Sequence, residues 1–303
     1  VPVSPAPIPC VGGVQSAEPC ALVELSGENA YAQEWFIAPK SAVSACEDAL
    51  VVTEHFAAVV DGMSSPLRDR GQAPSGRLYA ETVAREIARL EPNVSARRAV
   101  DTISQALTHI RPDHAGPSGA VAAVYSRARR EIWRIGDIHL RIGDRVVPGE
   151  KRVDQAMTLF RAAVVAAHAA AGESLDALRD QDPGLAASRP LLELQHHLAN
   201  RDAAFGYGVL DGSAVPDCHI EVFPVAGAAT VVFASDGYPG PAATLACAER
   251  ELFAAIAHDP ACIGELAAMG KPLRPGAETP DDRTYLRFDP SSSYAGFDTE
   301  RES

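Results

Sequence analysis

The period of apolar and polar positions changes several times along the chain. Residues 19–60 carry near-continuous apolar, β-branched runs, CALVELS, EWFIA and DALVVTEHFAAVVD, and read as strands. The period then becomes helical. Tyr79, Val83, Ile87 and Leu90 share one face of a helix over Gly76–Leu90. Val100, Ile103, Leu107 and Ile110 do the same over Ser95–Ile110, with Ser95 as N-cap and Pro112 ending the pattern. A second strand block spans Gly119–Val147, as GAVAAVYS and EIWRIGDIHLRIGDRVV, with hairpin turns expected at RARR and IGDR. Helices are expected at Val153–Ala171 and Pro190–Asn200. Strands return at FGYGVLDG, HIEVFPV and TVVFASD. A helix over Pro241–Ala257, a shorter one near Pro260–Met269 and a last strand at DDRTYLRF close the pattern.

Blocks of strands thus alternate with pairs of helices. The strict strand–helix–strand alternation of a parallel doubly wound sheet is absent. The pattern suits an α+β fold of antiparallel sheets flanked by helices. No internal repeat or linker divides it, so one domain is expected over residues 19–290. Residues 1–18 read as a loose, proline-rich lead-in and residues 291–303 as a polar tail.

Composition narrows the function. The chain has 303 residues, 47% of them apolar, enough for a substantial core. Its 27 basic and 40 acidic residues give a net charge of −13, which argues against nucleic acid and suits a site that gathers cations. No apolar run reaches the ~18 residues of a membrane span. The start shows neither the basic region nor the apolar core of a signal peptide. Cysteines at 10, 20, 46, 218, 247 and 262 form no C-x-x-C pair, so a zinc knuckle is not expected. Their scatter suits a reducing compartment, and the expected location is cytoplasmic. His196 and His197 diverge by ~100° on a helix and are poorly placed to share an ion.

The chemistry concentrates in FAAVVDGMSSP, residues 56–66, and in ATVVFASDGYPG, residues 229–240. Each sends a buried-looking strand into an Asp-Gly turn. With CED (46–48), IGD (135–137) and PDD (280–282) they make five acidic phrases at strand ends. Hard cations such as magnesium and manganese take oxygen ligands. Carboxylates gathered from distant segments repel one another unless cations fill the site.

In order and spacing these phrases resemble the metal-dependent protein phosphatases of the type-2C serine/threonine class, over roughly residues 44–288. The family pattern appears here as Glu47-Asp48, Asp61-Gly62-Met63-Ser64-Ser65, Gly136-Asp137, Ser235-Asp236-Gly237 and Asp281-Asp282-Arg283-Thr284. The resemblance implies a four-layer α-β-β-α sandwich of two antiparallel sheets flanked by helix pairs. It implies two Mg²⁺ or Mn²⁺ ions, with a third, weaker ion near Asp137 in some members. Asp61 would bridge the pair, the Gly62 carbonyl would bind one ion, and Asp236 and Asp281 would complete the other. Glu47 and Asp48 would act through bound water, and the nucleophile would be metal-bound water.

Several positions depart from the pattern. Met63-Ser64-Ser65 stands where the family has x-Gly-Gly, and Val43 where many members carry a phosphate-gripping arginine. Residues 150–200 form a divergent helical segment. The expected activity is hydrolysis of phosphomonoesters, with a phosphorylated protein slightly favoured over a phosphorylated small molecule. The alternative from another class is an inactive, phosphatase-like binding or regulatory module. Because Val43 cannot grip a phosphate, another basic group, or the 150–200 segment folded over the site, is expected to complete the pocket; Arg152, Arg161, Arg189 and Arg201 of that segment, and Lys40 and Arg68 near the acidic phrases, are the candidates.

Overall fold

The computed structural model describes residues 21–25, 31–66, 74–111, 118–225 and 227–292. The expected lead-in and most of the tail lie outside these residues, as does Arg68. Six strands make the first sheet, in the order β1 (Ala21–Leu25), β3 (Ala49–Val52), β4 (Phe56–Met63), β5 (Gly119–Ser126), β6 (Glu131–Ile135) and β9 (Glu221–Pro224). Five make the second: β2 (Ala32–Ala38), β11 (Arg283–Phe288), β10 (Val231–Ala234), β7 (His139–Ile142) and β8 (Arg145–Val147). All neighbours run antiparallel except β1 and β3, a parallel pair at one edge.

The central strands are buried on both faces, which is why they read as unbroken apolar runs. Leu50, Val52, Ala57, Val59, Val121 and Ala123 of the first sheet face Leu140, Phe233, Leu286 and Phe288 of the second. The alternate positions, Val51, Ala58, Val60, Ala122 and Val124, face outward. There they meet α1 (Gly76–Arg89) and α2 (Ala96–Leu107), through Tyr79, Val83, Ile87, Val100 and Ile103. Beyond the second sheet, Val232, Ala234 and Tyr285 pack on Leu252 and Ile256 of α6 (Leu245–His258). The layers are therefore helix, sheet, sheet, helix, and the fold class is α+β.

Local chemistry sets the helix ends. The Ser75 and Ser95 hydroxyls accept from the Leu78 and Arg98 amides and start α1 and α2. Between β8 and β9 lie α3 (Arg152–Ala170), α4 (Leu175–Gln181) and α5 (Pro183–Leu194). Only α3 and the end of α5 follow the sequence pattern. Asp182, at φ 42°, ends α4, and its carboxylate accepts the Leu185 amide at 2.9 Å to start α5. One residue serving as both caps leaves no gap in the sequence to mark two helices.

Three further expectations change. β4 continues through Asp61 and Gly62 to Met63, because β5 pairs with it as far as Gly119. FGYGVLDG forms no strand; Tyr207 and Leu210 make only isolated bridges, to Ala199 and Ala120. Near Pro260–Met269 only a 3-10 turn at Ala267–Met269 forms, ended by Gly270 at φ 69°. Among the described residues no helix is long and apolar enough to cross a membrane.

Candidate functional site

The acidic phrases converge at one end of the sandwich. Asp61 rides on β4 of the first sheet, Asp236 follows β10, and Asp281 stands two residues before β11. β10 and β11 are hydrogen-bonded neighbours, so Asp236 and Asp281 are set side by side. Two backbone approaches fix the geometry. A Cβ on Gly62 would collide with the Glu47 carbonyl oxygen and with Gly76 at the start of α1. A Cβ on Gly237 would collide with the Asp282 carbonyl oxygen. Both glycines let main chains from different elements touch.

Asp48 and Asp282 brace this end. Asp48 is buried, and its Oδ2 accepts the Thr284 hydroxyl at 2.7 Å and the Ser235 hydroxyl at 3.1 Å. It thereby ties β10 and β11 to the start of β3. Burial first, and then the Asp282 charge, push its carboxyl well above the usual carboxylate range despite the Thr284 hydrogen bond. Asp282, also buried, accepts the Lys40 amide at 2.8 Å and the Glu47 amide at 2.9 Å. Asp282 thus holds the 40–47 loop, while its neighbour Asp281 turns to the cluster. Glu47 accepts the Ser64 hydroxyl at 2.6 Å, and Ser64 in turn accepts the Gly76 amide at 2.9 Å. Ser64, a departure from the family glycine, therefore anchors Glu47 to the start of α1.

Asp61 and Asp236 behave differently. Neither side chain makes a hydrogen bond or ion pair within the described residues. Burial, followed by the charges of Asp48, Asp236, Asp281 and Asp137, raises the Asp61 carboxyl well above its ordinary value. Asp236 is pushed up to about 7 by enclosing protein first and then by Asp281 and Asp137. Its side chain nevertheless opens to solvent. Water screens part of the desolvation, so the neighbouring like charges are the firmer cause.

Asp281 is already answered by cations. Its Oδ2 pairs with Lys271, and its Oδ1 lies 3.4 Å from the Lys40 ammonium and 3.0 Å from the Asp282 amide. Burial opposes its charge, but Lys271 and then Lys40 outweigh that and hold its pKa below the usual range. Asp137 has a similar partner: the Lys151 ammonium stands 2.9 Å from its Oδ2 and 3.8 Å from Asp154. Lys40 was a candidate from the sequence; Lys151 and Lys271 were not, since no spacing relates them to the acidic phrases. Three of the arginines expected to supply charge serve elsewhere. Arg161 is buried against Asp182, Arg189 pairs with Glu193, and Arg152 stacks over Phe205. Val43 is 90% exposed.

The donor set divides. Asp61, the Gly62 carbonyl and Glu47 suit one hard cation, since Asp61 has no partner among the described residues and is crowded by like charge. The position that Asp61, Asp236 and Asp281 would share does not fit a second, because Asp281 is already neutralised. Asp137, paired with Lys151, does not fit a third. Among the described residues no three His, Cys, Asp or Glu side chains stand gathered as a metal-binding group.

No family model matches the sequence, and no curated protein does. Solved structures of similar chain arrangement do exist. One titled a bacterial serine phosphatase is 12% identical over 86% of this chain and 98% of its own, with a TM-score of 0.47. The Mycobacterium tuberculosis serine/threonine phosphatase PstP/Ppp is 18% identical over 84% and 97%, with a TM-score of 0.44. Serine/threonine phosphatase Stp1 from Staphylococcus aureus is 12% identical over 91% and 99%, with a TM-score of 0.45. Each of these is a likeness of chain arrangement over most of this chain.

Proposed function

We propose that the chain is a divergent, divalent-cation-dependent phosphomonoesterase of the type-2C kind. A phosphoserine or phosphothreonine protein is its favoured substrate class, and a phosphorylated small molecule is the alternative. One observation carries the reading. Asp61 and Asp236, two carboxylates without a partner among the described residues, come from different sheets, and each is held above its ordinary pKa by burial and by neighbouring carboxylates, Asp236 being one of those that raise Asp61. Such crowding destabilises a protein unless the charge has a use. A divalent cation, when bound, supplies positive charge to a phosphoryl group and lowers the pKa of water.

The chain's own residues do the rest. Asp61 and the Gly62 carbonyl provide oxygens on a rigid central strand. Glu47, fixed by Ser64, completes that side. Asp48 and Asp282 hold the strands and the 40–47 loop in place without touching substrate. Lys40 keeps 32% of its side chain accessible at the rim, and is the cation an incoming phosphate would meet in place of the absent arginine. The free thiols of Cys218, Cys247 and Cys262 suit a reducing, cytoplasmic setting.

Hydrolysis of p-nitrophenyl phosphate with added Mn²⁺ or Mg²⁺, lost in excess chelator, is the expected result. Full activity in excess chelator would overturn the reading. The occupied oxygens of Asp281 favour a second reading, a phosphatase-like binding module. It predicts retained cation binding with no turnover of either an ester or a phosphopeptide.

A further inference from the structure

Lys271 is the least expected group at the site, and the fold takes trouble to place it. It follows Gly270, where an added Cβ would meet the Thr158 side chain of α3. Its loop is pinned from two directions. The Leu273 amide donates to the Pro260 carbonyl at 3.0 Å. Arg161 of α3 is buried, paired with Asp182 at 3.0 Å, and donates to the Cys262 carbonyl at 2.7 Å and the Ala261 carbonyl at 2.9 Å. Arg274 reaches back to the Asp180 carbonyl at 3.2 Å. The divergent helical segment is thus a buttress for the 259–274 loop. At that loop's end the Lys271 ammonium meets Asp281, on the carboxylate oxygen that Lys40 does not approach. The other acids it feels are Asp236 and then Asp61, both of which strengthen its charge. Those three carboxylates are the set that would share the second cation of a two-ion site.

We propose that Lys271 is a tethered cation standing in for one of the two divalent ions, so that the site takes a single divalent ion, on the Asp61 side. The inference rests on the functional reading above and deepens it. A lysine brings one positive charge where an ion brings two, and it offers no open position for water. It neutralises Asp281 and part of the Asp61–Asp236 repulsion without any requirement for metal. Positive charge near the phosphoryl group is then divided between one exchangeable ion and one that cannot leave. Lys151 on Asp137 applies the same substitution to the third, weaker position.

The test is the number of Mn²⁺ ions bound by the full chain, measured by titration calorimetry and by electron paramagnetic resonance. Wild type should bind one ion and give the spectrum of an isolated Mn²⁺. Lys271→Met should bind two, with the exchange-coupled spectrum of ions ~3.5–4 Å apart. Lys271→Arg, which keeps the charge, should stay at one. Two coupled ions in wild type, or one ion in Lys271→Met, would overturn the inference and leave the phosphatase reading standing. No binding by any form would sink both. If Lys271→Met does not fold, the wild-type spectrum decides alone.

Discussion

At the scale of single residues, charge crowding makes the site's state depend on pH. The Asp236 carboxyl is raised from 3.8 to about 7 by enclosure and by like charge. An acid whose folded pKa exceeds its unfolded one binds more protons when folded. Its penalty on the folded state is absent below the unfolded value, grows as pH rises, and is complete above the folded value. The metal-free protein should therefore melt at progressively lower temperature from about pH 4 to about pH 7, and Asp61 adds in the same direction. Saturating Mn²⁺ should flatten that slope, because a cation removes the repulsion. A melting temperature that rises across this window without metal would contradict the assignment. Asp61→Asn should weaken Mn²⁺ binding at least tenfold and lower turnover on the order of 10²-fold, through loss of charge facing the phosphoryl group. Calorimetry and steady-state kinetics read the two effects separately. Gly237→Ala tests packing, since the added methyl meets the Asp282 carbonyl oxygen and should cost about 1–3 kcal/mol in urea unfolding.

At the scale of elements, the long strands and the capped helices were legible because their patterns are local. Ser95 starts α2 as its sequence suggests, and β5, β6, β7 and β10 lie where their apolar runs put them. FGYGVLDG misled, because its aromatic and apolar residues pack against α3 rather than joining a ladder; Tyr207 and Val209 touch Val153 and Met157. The α4–α5 corner was hidden because Asp182 caps both helices at once. That corner is held by its buried pair with Arg161. Arg161→Ala leaves the Asp182 carboxylate and two loop carbonyls without their donor, and should cost about 3–5 kcal/mol. Because the same arginine pins the loop that carries Lys271, the variant should also loosen that loop. Hydrogen exchange in residues 259–274 should rise. Unchanged protection there would mean that the helical segment does not buttress the loop.

At the scale of the whole molecule, the site is a product of topology. Asp61 and Asp236 are carried by strands of different sheets, and nothing local in either phrase shows that the sheets' ends meet. What the sequence did reveal is the order of five acidic phrases, which pointed to one cluster. It did not reveal which acids brace and which face the cavity, because that depends on hydrogen bonds across long sequence separations. Asp48 to Thr284 and Glu47 to Asp282 are two such bonds. Nor did it reveal the lysines, since Lys151 and Lys271 reach the acids only once the helical segment has docked. The proposed function stands or falls with a cation site built on Asp61 at this end of the sandwich. Anomalous diffraction from crystals soaked in Mn²⁺ tests it most directly. The predicted result is a manganese peak against the Asp61 carboxylate and the Gly62 carbonyl. A soaked crystal with no peak there, or with Asp61 and Asp236 on separate faces of the molecule, would contradict it.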